Sequence, residues 1–385
     1  MPLSKESLDE LVTAVARFVK ERLVPIENQV AEEDKVPDAV IDEMKEMGLF
    51  GMSIPEEHGG LGLTVEEEVT VAFELGRTSP VFRSVLGTNN GIGSQGIIMF
   101  GTDDQKKRYL PGLASGKIIG SFALTEPEAG SDAGSCRTTA RRVPGGYVIK
   151  GTKRFITNAP KAGVFTVFAR TDESIAGAKG LSAFLVPGGL PGIEIGKPDK
   201  KMGQHGTYTS DVIFNDVKVE ENALLGGVEG QGFKAAMQVL DRGRLHISAV
   251  CVGVAERLIA DSVRYANQRK QFGKPISDFQ LIQGMLADSY AEALAAKSMV
   301  LETARKRDAN ADVNMDAAAC KMFASEMVGR VADRAVQIYG GAGYIADYGI
   351  ERFYRDVRLF RLYEGTTQIQ QIVIARGLIR GEGIH

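Results

Sequence analysis

Cysteine is scarce in this chain of 385 residues: Cys136, Cys251 and Cys320 are the complete set, and they lie far apart. An odd, scattered set argues against a disulfide framework and against a Cys-rich metal site. Histidine is as sparse, and His58, His205, His246 and His385 show no metal-ligand spacing. Neither sign of charge is in excess, with 46 Lys and Arg against 49 Asp and Glu for a net −3. Nucleic-acid binding is therefore disfavoured. No apolar run is long enough to span a bilayer. The opening MPLSKESLDE has neither an apolar signal core nor an arginine-rich transit character, which makes a cytoplasmic location the expectation. A G-x-S-x-G elbow, a Walker A loop and a strand–GxGxxG–helix unit are also missing. The nearest candidate, YGGAGYIADYG, follows a helical pattern and not a strand. Any redox cofactor would have to be held without a Rossmann loop.

What is present reads as an ordinary globular protein, 44% hydrophobic and 25% charged. The length suits two or three domains or one large multi-layer unit. Residues 1–117 read as a helical domain. Ser7 and Glu10 have capping-box spacing, and Leu8, Leu11, Val12, Val15, Phe18, Val19 and Leu23 line one face as far as Pro25. A second helix is expected through PDAVIDEMKEMGLF. Residues 118–228 change character: GYVIKGTKRFITNAP, GVFTVFART, LSAFLVP and SDVIFNDVKV are short, β-branched and aromatic, and are punctuated by turn residues. This is the pattern of a small antiparallel β-domain. Residues 229–385 return to long helices, expected near 233–267, 278–307 and 315–339 and from Thr367 onward. Wide apolar stripes in series suggest a four-helix bundle and suit a buried subunit interface. The segregated order makes the fold class α+β.

Five stretches could carry chemistry. RLYEGTTQIQQIVIAR, residues 361–376, sets Glu364 between an arginine-rich run and a helix start, where Thr367 and Gln370 have capping-box spacing. A carboxylate there either complements the helix dipole or reacts, and the stretch alone leaves both open. FALTEPEAGSDAGS, residues 122–135, is a surface turn or a loop whose hydroxyls and N–H groups meet a polar ligand. In KRFITNAP, Phe155 and Thr157 alternate on one strand face, which suits a sheet core or a flat heterocycle. NQRKQFGKPI, residues 267–276, is a charged helix exit or an arginine site for a pyrophosphate. QIYGGAGY, residues 337–344, is a helix exit whose glycines permit a tight turn or a close ligand.

Taken in order, ALTEPEAGSD, KRFITNAP, RKQFGKPI, QIYGGAGY and YEGTTQIQ closely resemble the acyl-CoA dehydrogenase family over essentially the whole chain. The resemblance implies FAD held between a helical N-terminal domain, a β-domain and a C-terminal four-helix bundle, in a homotetramer built as a dimer of dimers. It implies flavin contacts from Phe122, Leu124, Thr125, Gly130 and Ser131, with Phe155 and Thr157 along the ring. Arg269, Gln271, Phe272, Gln280, Gln337 and Gly341 would hold the diphosphate and adenosine part, partly across a subunit boundary, and Thr366 and Gln368 would complete the site. Ser131, Asp241, Arg244 and Gly365 would meet the acyl-CoA, with Asp241 and Arg244 along the CoA arm. No metal is implied. Glu364 would be the base of an α,β-dehydrogenation to the trans-2-enoyl-CoA. The flavin ribityl hydroxyl and the glutamate N–H would stabilise the enolate, and an electron-transfer flavoprotein would accept the electrons. Many members carry tryptophan at Phe155, and this chain has none. Some members keep the base on the helix that here carries DRGRLH, where Gly243 excludes it. An oxidase or flavin monooxygenase on the same fold is the alternative activity, and a silent binding or scaffold protein the alternative of another kind.

Overall fold

The computed structural model describes residues 2–381. Its N-terminal third is helical: α1 Lys5–Phe18, α2 Glu27–Glu33, α3 Asp38–Glu46, α4 Val65–Leu75, α5 Pro80–Asn90, α6 Gln95–Phe100 and α7 Asp103–Ala114. The first helix begins earlier than the Ser7–Glu10 spacing suggests. Ser4 is extended, and its Oγ accepts the Ser7 N–H at 3.1 Å, so Ser4 is the cap. The α1 stripe buries Val15 and Phe18 and runs on through one π turn that buries Val19 and Leu23. Reciprocal capping boxes do form at Thr64–Glu67 and Thr102–Gln105.

Seven strands follow: β1 Gly120–Ala123, β2 Thr139–Val143, β3 Gly146–Thr157, β4 Val164–Arg170, β5 Leu181–Pro187, β6 Ile193–Ile195 and β7 Thr209–Glu220. They form one sheet in the order β1-β4-β2-β3-β7-β6, with β5 also on β4. The expected antiparallel sheet is in fact mixed. The pairs β2–β3, β3–β7, β4–β5 and β6–β7 are antiparallel, but β1 runs parallel to β4, and β2 meets β4 in parallel at Thr139 and Arg170. Parallel neighbours need a long connection, and the whole β2–β3 hairpin supplies the one between β1 and β4. β4 and β5 are buried almost end to end, which explains their near-continuous apolar sequence.

The C-terminal part is built from α8 Gly232–Gln268, α9 Gln280–Asp308, α10 Asn314–Tyr339, α11 Ile350–Val357 and α12 Thr367–Ile379. Helices α8, α9 and α10 pack on one another and α12 packs on α10. From Gly243 to Ala255, α8 is buried on every side, because α4 covers the flank that the bundle leaves open. Helix α11 has no counterpart in the sequence reading. It is short and charge-rich, yet it buries Ile350, Phe353 and Val357, while its Arg352 reaches Glu27 at 2.9 Å. No described helix is long and apolar enough to cross a membrane. His385 lies outside the described residues.

Candidate active site

A cavity of 1040 Å³ opens where α5, the loop after β1, the end of β3, the first half of α8 and residues 358–369 converge, and most of its lining is apolar. It is large enough for a flat cofactor beside a substrate chain. Each wall is set by a local device.

The loop after β1 is fixed from inside by one ion pair. Lys153 Nζ reaches Glu126 Oε1 at 2.7 Å and donates to the Leu124 carbonyl at 3.1 Å. Glu126 also accepts the N–H groups of Arg137 and Thr138 at 2.6 and 2.9 Å. Both side chains are essentially buried. A regular strand would put Lys153 and Phe155 on one face. A register shift between Lys153 and Ile156 breaks the alternation, with Phe155 at φ 58°. Lys153 therefore points into the core while Phe155, 62% exposed, lies on the cavity wall with Thr157. An aromatic ring held bare by a left-handed residue asks for a flat partner.

The opposite wall carries Glu364. Its φ is 54° and that of Gly365 is 90°. Gln370, fully buried, donates to the carbonyls of both residues at 3.1 and 3.0 Å, and Lys321 Nζ donates to the Gly365 carbonyl at 2.7 Å. A Cβ on Gly365 would stand 2.5 Å from the Gln370 amide, so the glycine makes room for this clamp. The helix cap is one residue away from the expected place. Thr366 Oγ1 accepts the Ile369 N–H at 3.3 Å, whereas Thr367 donates to Glu326 at 2.8 Å and Gln370 serves the loop instead of a capping box.

The backbone is thus tied and the carboxylate is not. Glu364 Oε2 is buried without a hydrogen-bond partner. A Cβ on Gly243 would lie 2.6 Å from it, so this glycine of α8 leaves the carboxylate its space. The Glu364 N–H has no partner among the described residues. Burial pushes the carboxyl above its ordinary range, against the lowering pull of Arg83, Lys321 and Arg244. Burial also pushes the Tyr363 phenol up, and brings the Lys321 ammonium down to about 8. Nearby, His246 Nδ1 sits 2.9 Å from Glu68, which also receives Arg242 at 2.6 and 3.0 Å. Burial alone would raise Glu68, yet Arg242 and His246 bring it to about 2, and burial lowers His246.

The expected site residues divide into two groups. Phe122, Leu124, Thr125, Gly130, Ser131, Phe155, Thr157, Arg244, Glu364, Gly365 and Thr366 all line the cavity. Asp241 does not, but it pairs with Arg244 at 2.7 Å and holds that guanidinium in place. Arg244 is nearly buried and acts electrostatically on Glu364. Arg269, Gln271, Phe272, Gln280, Gln337, Gly341 and Gln368 lie outside the cavity on exposed surface. The sequence reading passed over Arg83, Glu68, His246, Tyr363 and Lys321. The signal for Arg83 was available, because it is the one charged residue in the apolar and small run PVFRSVLGTNN of α5.

An apolar cavity with a bare aromatic ring, loop hydroxyls from Thr125 and Ser131, and a desolvated carboxylate fits a flavin and a C–H substrate together. This defines a flavin-dependent oxidoreductase of the α–β–α type. Profiles for the acyl-CoA dehydrogenase N-terminal, middle and C-terminal domains match residues 5–117, 121–217 and 230–379. An acyl-CoA dehydrogenase of Bacillus subtilis is 40% identical over 95% of this chain and 96% of its own length. A subunit of the caffeyl-CoA reductase-Etf complex of Acetobacterium woodii is 41% identical over 94% of this chain and 95% of its own. The structure of butyryl-CoA dehydrogenase from Megasphaera elsdenii superposes with a TM-score of 0.94 at 36% identity, covering 99% of this chain and 100% of that one. The chain belongs to the acyl-CoA dehydrogenase family and is an FAD-dependent oxidoreductase.

Proposed function

We propose that the enzyme oxidises an acyl-CoA thioester to the trans-2-enoyl-CoA, with Glu364 taking the α proton and an electron-transfer flavoprotein receiving the electrons. The observation that carries this reading is the buried, unpartnered Oε2 of Glu364, facing an apolar cavity from a fixed backbone. A base held without a partner, with its affinity for protons raised, is matched to a weak carbon acid. The clamp from Gln370 and Lys321 keeps its position while the side chain stays free to reach the substrate. The Glu364 N–H, free among the described residues, supplies a donor for the oxygen of the developing enolate. FAD, held there, would supply the acceptor for the β hydride and the route for the electrons. Phe155 and Thr157, on the cavity wall, would support one side of the flavin, Thr125 and Ser131 would supply hydroxyls, and the apolar lining would exclude water.

In the same reading the enzyme works in the cytoplasm as a homotetramer. Phe272, 93% exposed, and the neighbouring Leu281 and Tyr344 form apolar surface beside Arg269, Gln271, Gln280, Gln337 and Gly341. A second subunit on that face would cover it and bring those residues to the far part of the cofactor. The relative named for an Etf complex supports the choice of acceptor. Anaerobic stopped-flow bleaching of the flavin tests the base. Glu364→Gln should fold, keep FAD and bind acyl-CoA, but lose about 10³- to 10⁴-fold in the rate of flavin reduction. Bleaching at the wild-type rate would place the base elsewhere.

A further inference from the structure

His246 takes no part in the chemistry above, yet it lines the cavity and is nearly buried. One edge of its ring is pinned, with Nδ1 2.9 Å from Glu68 Oε1. The other oxygen of Glu68 accepts Nε and Nη2 of Arg242 at 3.0 and 2.6 Å, so each oxygen of this buried carboxylate has a fixed partner. Glu68 is anchored in turn. Its helix α4 starts with a capping box, and Asp308, at the end of α9, accepts the Val65 and Glu66 N–H groups at 2.9 and 2.8 Å. The opposite edge of the ring is bare, because Nε2 is buried without a partner.

A carboxylate that already holds an arginine can only accept. The imidazole proton therefore belongs on Nδ1, and Nε2 presents a lone pair. Burial lowers His246, and Arg83 adds to this against the raising pull of Glu68, which keeps the ring neutral. The lone pair has a definite place. His246 lies three residues beyond Gly243, so the two share a face of α8 about 4.5 Å apart along its axis, and Gly243 abuts the Glu364 carboxylate. The acceptor thus stands a few carbons away from the Cα whose proton Glu364 takes. Two more atoms of lining residues, Tyr363 Oη and Arg83 Nε, are buried without partners, and both can donate. The charge of Arg83 is felt at His246 and at Tyr363, which brings the three groups into one neighbourhood. An acceptor beside two donors is complementary to a group that gives one hydrogen bond and takes another. A hydroxyl does both, whereas a methyl end does neither and would leave all three atoms unpaired at a cost.

We infer that His246 is a specificity residue that accepts a hydrogen bond from a hydroxyl on the inner part of the acyl group, with Glu68 as the positioning residue that fixes its tautomer. The preferred substrates are then hydroxyacyl-CoA thioesters whose hydroxyl lies several carbons beyond the reacting pair. That hydroxyl is untouched by the reaction, which removes hydrogen from Cα and Cβ alone. This inference rests on the reading of Glu364 as the base of an acyl-CoA dehydrogenase.

The test uses the flavin-loaded enzyme and acyl-CoAs of matched length that end in a hydroxyl, a methyl or a methyl ether, whose oxygen accepts but cannot donate. The wild type should favour the hydroxyl series over both others in kcat/KM by roughly 10-fold at its best length, the scale of one buried hydrogen bond. His246→Asn keeps an amide against Glu68 but has nothing at the place of Nε2. It should bring the ratio to about 1 by raising KM for the hydroxyl series. Glu68→Gln, whose amide can donate to Nδ1 and turn Nε2 into an N–H, should lower the ratio in the same way, through KM. His246→Gln returns an amide oxygen to that place and should restore part of the preference. His246→Leu should bind the methyl-ended series more tightly than the wild type does, a gain that damage to the fold does not produce. Calorimetric titration with thioether analogues, which cannot be oxidised, should show the same order in binding. Equal or better use of methyl or ether ends by the wild type would overturn the inference, and so would an unchanged preference in His246→Asn. If no acyl-CoA bleaches the flavin, the base reading fails instead, and the thioether titration alone decides what His246 binds.

Discussion

Two glutamates, Glu364 in the wall of the cavity and Glu126 buried behind another part of it, are treated in opposite ways. Glu126 accepts two backbone N–H groups and the Lys153 ammonium, and although burial works against it, Lys153 holds its carboxyl below the ordinary range. Glu364 has an unpartnered oxygen, and burial carries it above that range although three cations stand nearby. The same side chain is fully engaged in one loop and left with an open oxygen in the other. The difference lies in satisfaction and not in residue type. A buried charge whose every lone pair is used can only hold, whereas one left open can act.

Exchanging their fates would break the comparison. The largest effect should come from Glu364→Gln, the loss of flavin reduction described above, with little change in melting temperature. Glu126→Gln should do the reverse and leave the chemical step nearly intact in whatever fraction stays folded. A large rate loss with wild-type stability in Glu126→Gln would show that the two roles are not separable.

Next in size is Lys153→Met, which strands the Glu126 carboxylate. Breaking a buried pair from one side costs about 3–5 kcal/mol. Denaturant unfolding should show that loss, with weaker flavin retention as the loop carrying Thr125 and Ser131 loosens. An unchanged midpoint would mean that the loop is held by its backbone alone.

A smaller effect should follow from Gly243→Ala. One methyl would press on Glu364 Oε2, and the anaerobic bleaching rate should fall about 10-fold or more, with FAD content unchanged. A wild-type rate would show that the carboxylate swings clear of α8 in the working enzyme.

The pH dependence sharpens the contrast with the smallest signals. Glu364 has a raised folded pKa, so its contribution to stability is present below the unfolded pKa and is lost as pH rises through the folded one. Glu126 has a depressed folded pKa, so its contribution is present above the unfolded pKa and is lost as pH falls through the folded one. Melting curves across the acid range should therefore show Glu364→Gln gaining on the wild type as pH rises, and Glu126→Gln falling further behind it. Parallel curves for the two variants would contradict both assignments. The bleaching rate should fall on the acid side with an apparent pKa above that of an ordinary carboxylate.

Much of the architecture was legible because it rests on periodicity. The three long bundle helices begin and end within a few residues of the expected places, since apolar stripes and the glycine and proline stops around Gly273 and Gly340 are local signals. The caps at Ser4 and Thr366 were missed by one to three residues, because neighbouring hydroxyls offer equivalent spacings and tertiary partners choose among them. Thr367 is drawn to Glu326, and that contact is invisible in sequence. Parallel pairing of β1 with β4 depends on chain direction after a long excursion, which no strand pattern encodes. At the site, the motif residues Phe122, Leu124, Thr125, Gly130, Ser131, Phe155 and Thr157 were legible as a set, and the structure brings them to one cavity. Arg83 was passed over because a charge inside an apolar helix reads as a surface position until its burial is known. The outlying group from Arg269 to Gly341 was legible only as motif, and a single chain does not bring it to the cavity.

Gly243 has a consequence for how such enzymes diverge. Its missing side chain and the Glu364 carboxylate occupy one small volume from two sides. A base carried on the loop and a base carried on the helix are therefore alternatives that exclude one another. A lineage that moves the base cannot do so by first adding the new acid, because two carboxylates in contact in a dry space would keep one of them protonated and crowd both. Removing the old one first leaves no base at all. Either order passes through a crippled intermediate, so the choice of wall behaves as a lock.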